Sequence, residues 1–225
     1  MKGRDHWMWI LGLGALAALL VQHYLVFFWV GTEAQQGVIQ RIFYVHVPSA
    51  WTGFMAAGIA ATGSAVYLWL GDRRADSAAV AAAEGALVFL TLMLVSGPLW
   101  AKVAWGVYWQ WDPRLTMSLL LWVIFVGYFL VRSSVDDEER GRRLSAVVAI
   151  IGAVMVPFVH LSVYRRSIHP EPVVLKPERP TLDGDMLTTL MVGLAAFTLL
   201  FFALFRMRYR LAQVEAASNH GEGSP

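Results

Sequence analysis

Three tryptophans lie within seven positions of one short segment, and an acidic and a basic residue follow them closely. The segment spans residues 105–116 and reads Trp-Gly-Val-Tyr-Trp-Gln-Trp-Asp-Pro-Arg-Leu-Thr, with Trp105, Trp109, Trp111, Asp112 and Arg114 as its chemically distinctive members. Soluble cores seldom concentrate indole in this way, and a membrane aromatic belt would distribute tryptophans over several helix ends. Because indole faces supply stacking area, the pattern favours a surface that binds a flat apolar ligand.

The composition places this segment in a membrane protein. Of the 225 residues, 57% are hydrophobic and 15% are charged, and the mean hydropathy is +0.54, which leaves too little polar surface to cover a soluble domain. The absence of cysteine excludes disulfides, a thiolate metal site and thioether attachment of a cofactor to this chain. The net charge of +2 does not indicate nucleic-acid binding, because the basic residues stand at the ends of apolar segments.

Six apolar segments are long enough to cross about 30 Å of hydrocarbon as helices. They are residues 7–30, 51–70, 79–100, 115–131, 144–163 and 186–205. Apolar side chains within residues 38–45 also predict a short helix along the membrane surface, and Ser96-Gly97-Pro98 predicts a kink in the third span. The expected fold is an all-α integral membrane protein, with a six-helix domain over residues 1–210 and a disordered cytoplasmic tail over residues 211–225.

The distribution of lysine and arginine predicts the orientation of these spans. The two termini and the loops near residues 72 and 137 hold eleven of the 18 lysines and arginines, and the opposite side holds seven. Since basic residues are retained on the cytoplasmic side, both termini are expected in the cytoplasm. The segments near residues 31–50, 101–114 and 164–185 are then external. The tryptophan-rich segment accordingly faces outward between the third and fourth helices.

Two histidines are expected at the same external level as the tryptophans. His46 precedes the second span, and His169 follows the fifth span in a loop that holds four of the nine prolines, which favour an extended connection. Two neutral imidazoles with tryptophans between them are able to fill both axial positions of a haem iron. A hydrogen-bonded anchor at the membrane interface is the alternative role for His46. Zinc would ordinarily require three or four ligands, and only two good ones are present.

Several charged residues near these histidines have two interpretations each. Asp112, which is followed by proline, is as well suited to cap the fourth helix as to contact a ligand. Arg114 lies in the first turn of that helix, where a cation opposes the helix dipole, so an anionic partner is expected. Arg114 and Arg41 are candidates to bind a pair of carboxylates such as haem propionates. Residues 165 and 166, both arginine, either join them or extend to lipid phosphate.

Two ionisable residues fall inside the predicted spans. His160 is either a reserve axial ligand or a side chain that hydrogen-bonds across the bundle. Glu84 must be paired or reach the interface, because a carboxylate in lipid is costly. Residues 58–64 superficially resemble a phosphate-binding loop, but they lie inside a span and contain no lysine. Any energy for transport is therefore expected from a partner protein.

Residues 105–116 resemble the tryptophan-rich signature, commonly Trp-Gly-x-x-Trp-x-Trp-Asp-x-Arg-Leu-Thr, of the haem-handling membrane proteins of cytochrome c biogenesis. One family of these proteins, that of cytochrome c maturation protein C (CcmC), is similar to this chain up to about residue 205. The similarity includes the six spans and the sequences of residues 41–48 and 157–163. The resemblance implies that haem b lies against the tryptophan segment, with His46 and His169 as axial ligands. It also implies a periplasmic haem chaperone, CcmE, and an ATP-binding cassette complex with CcmA, CcmB and the small protein CcmD.

The expected function is therefore that of a non-enzymatic subunit of the bacterial inner membrane, which binds haem at the outer face and presents it to the chaperone. One alternative is a cytochrome c haem lyase of the same superfamily, but 225 residues leave no room for the additional spans and the larger external domain of such proteins. The other is a transporter that moves haem through its own helix bundle. The gathering of polar groups outside the bundle, and the lack of an apparent inverted repeat, count against it.

Overall fold

Six long helices make up most of the protein. The computed structural model describes residues 6–162, 164, 169 and 182–221. The helices are α1 (His6–Tyr24), α2 (Phe43–Leu70), α3 (Arg73–Trp105), α4 (Pro113–Ser134), α5 (Glu138–Ser162) and α6 (Gly184–Gly221). A π-helical turn, Leu25–Trp29, continues α1, and a short 3-10 helix, Val38–Ile42, leads into α2. Six helices in the described ranges are long and apolar enough to cross a membrane, which confirms the predicted six-span all-helical fold.

Short connections bring the predicted external segments to one end of the bundle. Two residues separate α2 from α3, and three separate α4 from α5, so these helices must reverse direction. We call the end that carries residues 30–46 and 100–114 the tryptophan end, and the end that carries residues 70–76 and 132–143 the charged end. Helix α2 packs along α3, α4 along α5, and α1 along α6. Which end faces the cytoplasm stays a prediction, as does the domain boundary at residue 210, past which α6 continues.

Small residues allow the central helices to approach closely. Alanines that are almost completely buried line the contact of α2 with α3, namely Ala56, Ala57, Ala60, Ala82, Ala83 and Ala86. Close backbone approach through small side chains is the main source of helix association in lipid, where the hydrophobic effect between helices is weak. The rings of Phe89, Phe125, Phe197 and Phe201 fill the centre of the bundle beside these alanines. The interior is therefore densely packed away from the tryptophan end.

Helix α2 begins at Phe43, whereas the second span was predicted to begin at Trp51. Pro48 lies inside this helix, where proline has no N–H to donate to the carbonyl of the residue four positions earlier. That carbonyl belongs to Tyr44, and it accepts a hydrogen bond from Gln22 Nε2 of α1 at 2.6 Å. The helix therefore continues through the proline, and His46 lies within α2 instead of before it.

Helix α3 likewise passes through the predicted kink and ends later than expected. Pro98 is an interior residue, and the helix continues to Trp105. It ends at Gly106, whose φ of 79° lies in the left-handed region that glycine tolerates, and whose N–H donates to the carbonyl of Lys102. Trp105 is therefore held on the last turn of a helix, and the remaining tryptophans of the segment lie in the connection that follows.

Ionic contacts join several helices at the charged end. Asp76 of α3 is buried and accepts from Arg132 of α4 and Arg142 of α5. Glu84, for which we predicted a partner or a position at the interface, accepts from Arg208 of α6 at 2.8 and 2.7 Å. A carboxylate within a membrane span is thus neutralised by a guanidinium from another span.

Candidate functional site

A cavity of about 840 Å³ lies at the tryptophan end, with walls from α2, α3, α4, α5 and α6. Most of its surface is apolar and much of it aromatic. The large apolar side chains that form it include Phe43, Trp51, Phe54, Trp100, Trp105, Trp109, Met191, Leu194 and Leu199. Concave apolar sites of this size, with a few polar groups, are typical of small-molecule binding.

The cavity brings together residues that are far apart in the sequence. Five of the eight predicted site residues line it, and so does the reserve ligand His160; the five are His46, Trp105, Trp109, Arg114 and His169. They belong to three helices, to the connection after α3 and to the loop after α5. Their convergence follows from the reversal of direction between consecutive helices, which places each predicted external segment at the same end.

The two predicted ligand histidines lie beside each other. The ring centres of His46 and His169 are 6.4 Å apart, with 35° between the ring planes. Trp100 packs edge-on against His46 at 5.9 Å, and Trp105 packs edge-on against His169 at 6.4 Å. Two tryptophans of α3 therefore flank the histidine pair. Among the described residues, no group of three or more histidine and carboxylate side chains forms a potential metal site.

Three buried polar atoms of the cavity walls lack a hydrogen-bond partner among the described residues. They are Trp109 Nε1, Arg114 Nη1 and His160 Nε2. An unpaired buried donor is costly, so each such atom needs an explanation. The indole and guanidinium N–H groups can only donate. A ligand that brings oxygen acceptors, such as a carboxylate, would satisfy both of them.

Asp112 and Trp111 do not line the cavity, although they belong to the same segment. Asp112 Oδ1 accepts from the backbone N–H of Leu115 at 2.8 Å, and the residue is buried. Of the two roles predicted for this carboxylate, the structure shows the helix cap. Trp111 is 76% exposed, and its ring packs edge-on against that of Trp109 at 5.7 Å. It is therefore placed to stabilise Trp109 or to contact a partner at the surface.

Arg41 lies in a different cavity, of about 290 Å³, between α1 and the start of α2. Its guanidinium carbon is 5.9 Å from the ring centre of Phe27, and Gln22 and His23 line the same space. Arg41 and Arg114 were predicted to bind one pair of carboxylates, but the structure places them in separate cavities. The propionate role of Arg41 stays a prediction.

The sequence did not reveal several residues of the site. Trp100 resembles a membrane anchor at the end of a span, yet it packs against His46, and its Nε1 donates to Gln36 Oε1 at 2.5 Å. This bond ties the loop after α1 to helix α3. The wall from α6 is one face of that helix, formed by Met191, Leu194, Ala195, Thr198 and Leu199. The other faces of α6 are also apolar, so only the three-dimensional packing identifies the face that lines the cavity.

Comparison with known proteins gives a consistent assignment. The heme exporter protein C family matches residues 2–222 of the chain. A heme exporter protein C from Bradyrhizobium diazoefficiens is 36% identical over 196 residues, which cover 83% of this chain and 74% of that protein. The corresponding protein of Haemophilus influenzae is 32% identical, with 80% and 73% covered, and that of Escherichia coli K12 is 31% identical, with 89% and 81% covered. With a family match over almost the whole length and several relatives above 30% identity, the chain belongs to the heme exporter protein C (CcmC) family.

Proposed function

We propose that this chain is a haem-binding membrane subunit of a cytochrome c maturation system, which holds haem b in the large cavity and presents it to a haem chaperone. The observation that carries the proposal is the pairing of His46 with His169 between tryptophans at the cavity wall. The names of the relatives, heme exporter protein C, support haem as the ligand.

The residues of the cavity fit a haem group in shape and in chemistry. The rings of His46 and His169 lie 6.4 Å apart at the cavity wall, and this pair would hold a haem iron through imidazole nitrogens. The aromatic walls suit a flat macrocycle. The unpartnered donors of Trp109 and Arg114 suit the carboxylates at its edge.

Each of these residues has a distinct part in the proposed function. His46 and His169 supply nitrogen ligands, while the tryptophans exclude water and offer stacking surface. Asp112 holds the first turn of α4 and so fixes the position of Arg114. When haem b is bound, its iron would accept these imidazole nitrogens, and the group would be held without a thioether bond to this chain, which has no cysteine. In this proposal the chain binds and presents its ligand without catalysing a reaction on it, a role that the names of the relatives support.

Delivery requires a surface near the cavity that a partner can reach. Tyr108 and Trp111 are 57% and 76% exposed in the connection after α3, directly beside Trp109. We propose that a CcmE-like chaperone docks at this exposed aromatic surface on the periplasmic side of the inner membrane. Energy would come from an ATP-binding cassette complex with CcmA, CcmB and CcmD-like subunits, as the chain contains no ATP-binding loop.

Packing in the bundle argues against transport of haem through this chain. Phe89, Phe197 and Phe201 are at most 7% exposed and fill the space between the cavity and the charged end. Within the described residues, a haem-sized path would require these rings to separate. Presentation at one end of the bundle needs no such rearrangement, so it is the function that we favour.

The first test is the visible absorption spectrum of the purified full-length protein, co-expressed with its partners. We expect a low-spin bis-histidine spectrum that His46→Ala and His169→Ala each weaken, and loss of haem in Trp109→Ala. The matched control is His23→Ala, because His23 is an exposed histidine outside the large cavity. A spectrum that survives both ligand substitutions but disappears in His160→Ala would overturn the ligand assignment. Absence of haem from the wild type would overturn the function.

A further inference from the structure

We infer that Ser96 is a positioning residue for His46: its oxygen accepts a hydrogen bond from the Nδ1–H group of the imidazole and thereby leaves the Nε2 lone pair for the iron. The inference deepens the proposed function and rests on it. Ser96 lies on α3, and His46 lies opposite on α2, with Ser96 Oγ 3.1 Å from His46 Nδ1. Sequence patterns had marked residue 96 only as part of a predicted kink.

The direction of this hydrogen bond follows from the other contacts of the serine hydroxyl. Ser96 Oγ is 2.6 Å from the carbonyl oxygen of Leu92 and 3.3 Å from that of Met93. Both carbonyls can only accept, and the hydroxyl has a single proton to donate. The short distance to Leu92 assigns the proton to that bond, which is the usual bond of a helical serine to the residue four positions earlier. The oxygen is then an acceptor toward His46, so Nδ1 carries the hydrogen.

A neutral imidazole with its proton on Nδ1 has a lone pair on Nε2, which is the form that binds a metal. The His46 ring lines the cavity and lies 6.4 Å from that of His169. Metal-binding histidines almost always donate their other N–H to an oxygen, which fixes the tautomer and the ring orientation. Ser96 Oγ supplies such an oxygen here, and the backbone carbonyl of Met93 is a second hydrogen-bond acceptor beside the same imidazole.

The residue after Ser96 makes room for the ring. A Cβ added to Gly97 would lie 3.0 Å from His46 Cε1, which is closer than side chains ordinarily approach, and 3.5 Å from Nδ1, which is an ordinary contact distance. Glycine at this position therefore lets the imidazole lie directly against the backbone of α3, within reach of the serine hydroxyl. Gly97 therefore sets the position of the His46 ring, and Ser96 sets its tautomer.

The first test uses the full-length protein without haem, because the tautomer is defined before the ligand binds. In nitrogen NMR spectra of protein labelled with ¹⁵N-histidine, His46 is identified by the signal lost in His46→Ala. We expect an unprotonated Nε2 in the wild type, a mixture of tautomers in Ser96→Ala, and the wild-type pattern in Ser96→Thr. The control is Thr62→Ala, which removes a similar bond within α2, from the Thr62 hydroxyl to the carbonyl of Gly58, at a position that does not line the cavity.

The second test measures the haem-loaded protein. Loss of a hydrogen-bond partner of a metal-bound histidine typically weakens metal binding by about 10–100-fold, and we expect a loss near tenfold in Ser96→Ala. The midpoint potential should rise, because the imidazole becomes a weaker donor to oxidised iron, and Ser96→Thr should restore it. Wild-type His46 with the proton on Nε2, or an unchanged potential in Ser96→Ala, would overturn the inference. Failure of every variant and of the wild type to bind haem would instead overturn the proposed function, while the NMR result for Ser96 would stand.

Discussion

Arg132 donates from its two terminal nitrogens to the two carboxylate oxygens of Asp76, at 2.8 and 2.6 Å. Arg142 approaches the same carboxylate at 3.3 Å, so one buried acid joins α3, α4 and α5. The Asp76 side chain is only 3% exposed. Paired, bidentate geometry of this kind makes such a buried charge tolerable.

Substitution of Asp76 by alanine should therefore destabilise the bundle strongly. It leaves two guanidinium groups without their shared partner, and breaking a buried ion pair typically costs about 3–5 kcal/mol. The matched control is Glu138→Ala, which removes an 80% exposed partner of Arg142 and should cost less than about 1 kcal/mol. Thermal unfolding in detergent measures both. Equal losses would show that Asp76 does not join the three helices.

The bond from Gln22 to the Tyr44 carbonyl should matter only because residue 48 is proline. We expect Gln22→Ala to lower the free energy of unfolding by about 1 kcal/mol, since it leaves a buried carbonyl without a donor. In a Pro48→Ala background, the new backbone N–H can bond that carbonyl, and Gln22→Ala should then cost less. A double-mutant cycle measures this coupling.

Gln35→Ala is the control for that cycle, because Gln35 is an exposed glutamine in the loop before α2. It should have little effect in either background. Additive effects of Gln22→Ala and Pro48→Ala would mean that the side-chain bond does not replace the missing backbone bond.

The helix count was predictable because a membrane span leaves a strong signal of length and hydropathy. The start of α2 was not, since Pro48 normally marks the beginning of a helix and its compensating donor, Gln22, lies on another helix. The partner of Glu84 was equally inaccessible, because Arg208 is 124 positions away. Contacts between helices decide where α2 begins and which residue pairs with Glu84. The sequence pattern within a single segment carries no information about these contacts.

The candidate site was predictable where topology alone brings residues together. His46, Trp109 and Arg114 belong to segments predicted on the same side of the membrane, and they meet at one cavity. Arg41 is predicted on the same side of the membrane, but it faces helix α1 in another cavity. A shared side of the membrane is therefore not enough to place a residue in the site. The direction in which the side chain points from its helix decides which cavity Arg41 or Arg114 enters. The hydropathy of the sequence does not indicate that direction.

Gly97→Ala should separate haem binding from stability. The added methyl group would displace the His46 ring, whose Cε1 lies 3.0 Å from the ideal Cβ position, so haem occupancy should fall several-fold. Replacing glycine within a helix by alanine otherwise stabilises by about 0.5–1 kcal/mol, which should keep the melting temperature near that of the wild type. Haem absorbance per protein and thermal unfolding give the two readouts.

The control for this substitution is Gly127→Ala, because among the described residues no atom beyond the adjacent backbone of α4 lies within 4 Å of a Cβ at that position. It should leave haem occupancy unchanged. If Gly97→Ala retained full occupancy with an unaltered spectrum, close contact with Gly97 would not be what positions His46.

Asp112 offers a way to separate a helix cap from a ligand contact. Asp112→Asn retains an oxygen that can accept from the backbone N–H of Leu115, as Asp112 Oδ1 does at 2.8 Å. Asp112→Ala removes the cap and should cost about 1 kcal/mol. If capping is the role of Asp112, Asn should preserve both stability and haem occupancy, and Ala should lower both, because Arg114 in the first turn of α4 loses its fixed position. Thermal unfolding and haem absorbance of the two variants decide the matter. A stable Asn variant that loses haem would show instead that the negative charge of Asp112 acts on the ligand or on Arg114, since asparagine caps a helix about as well as aspartate.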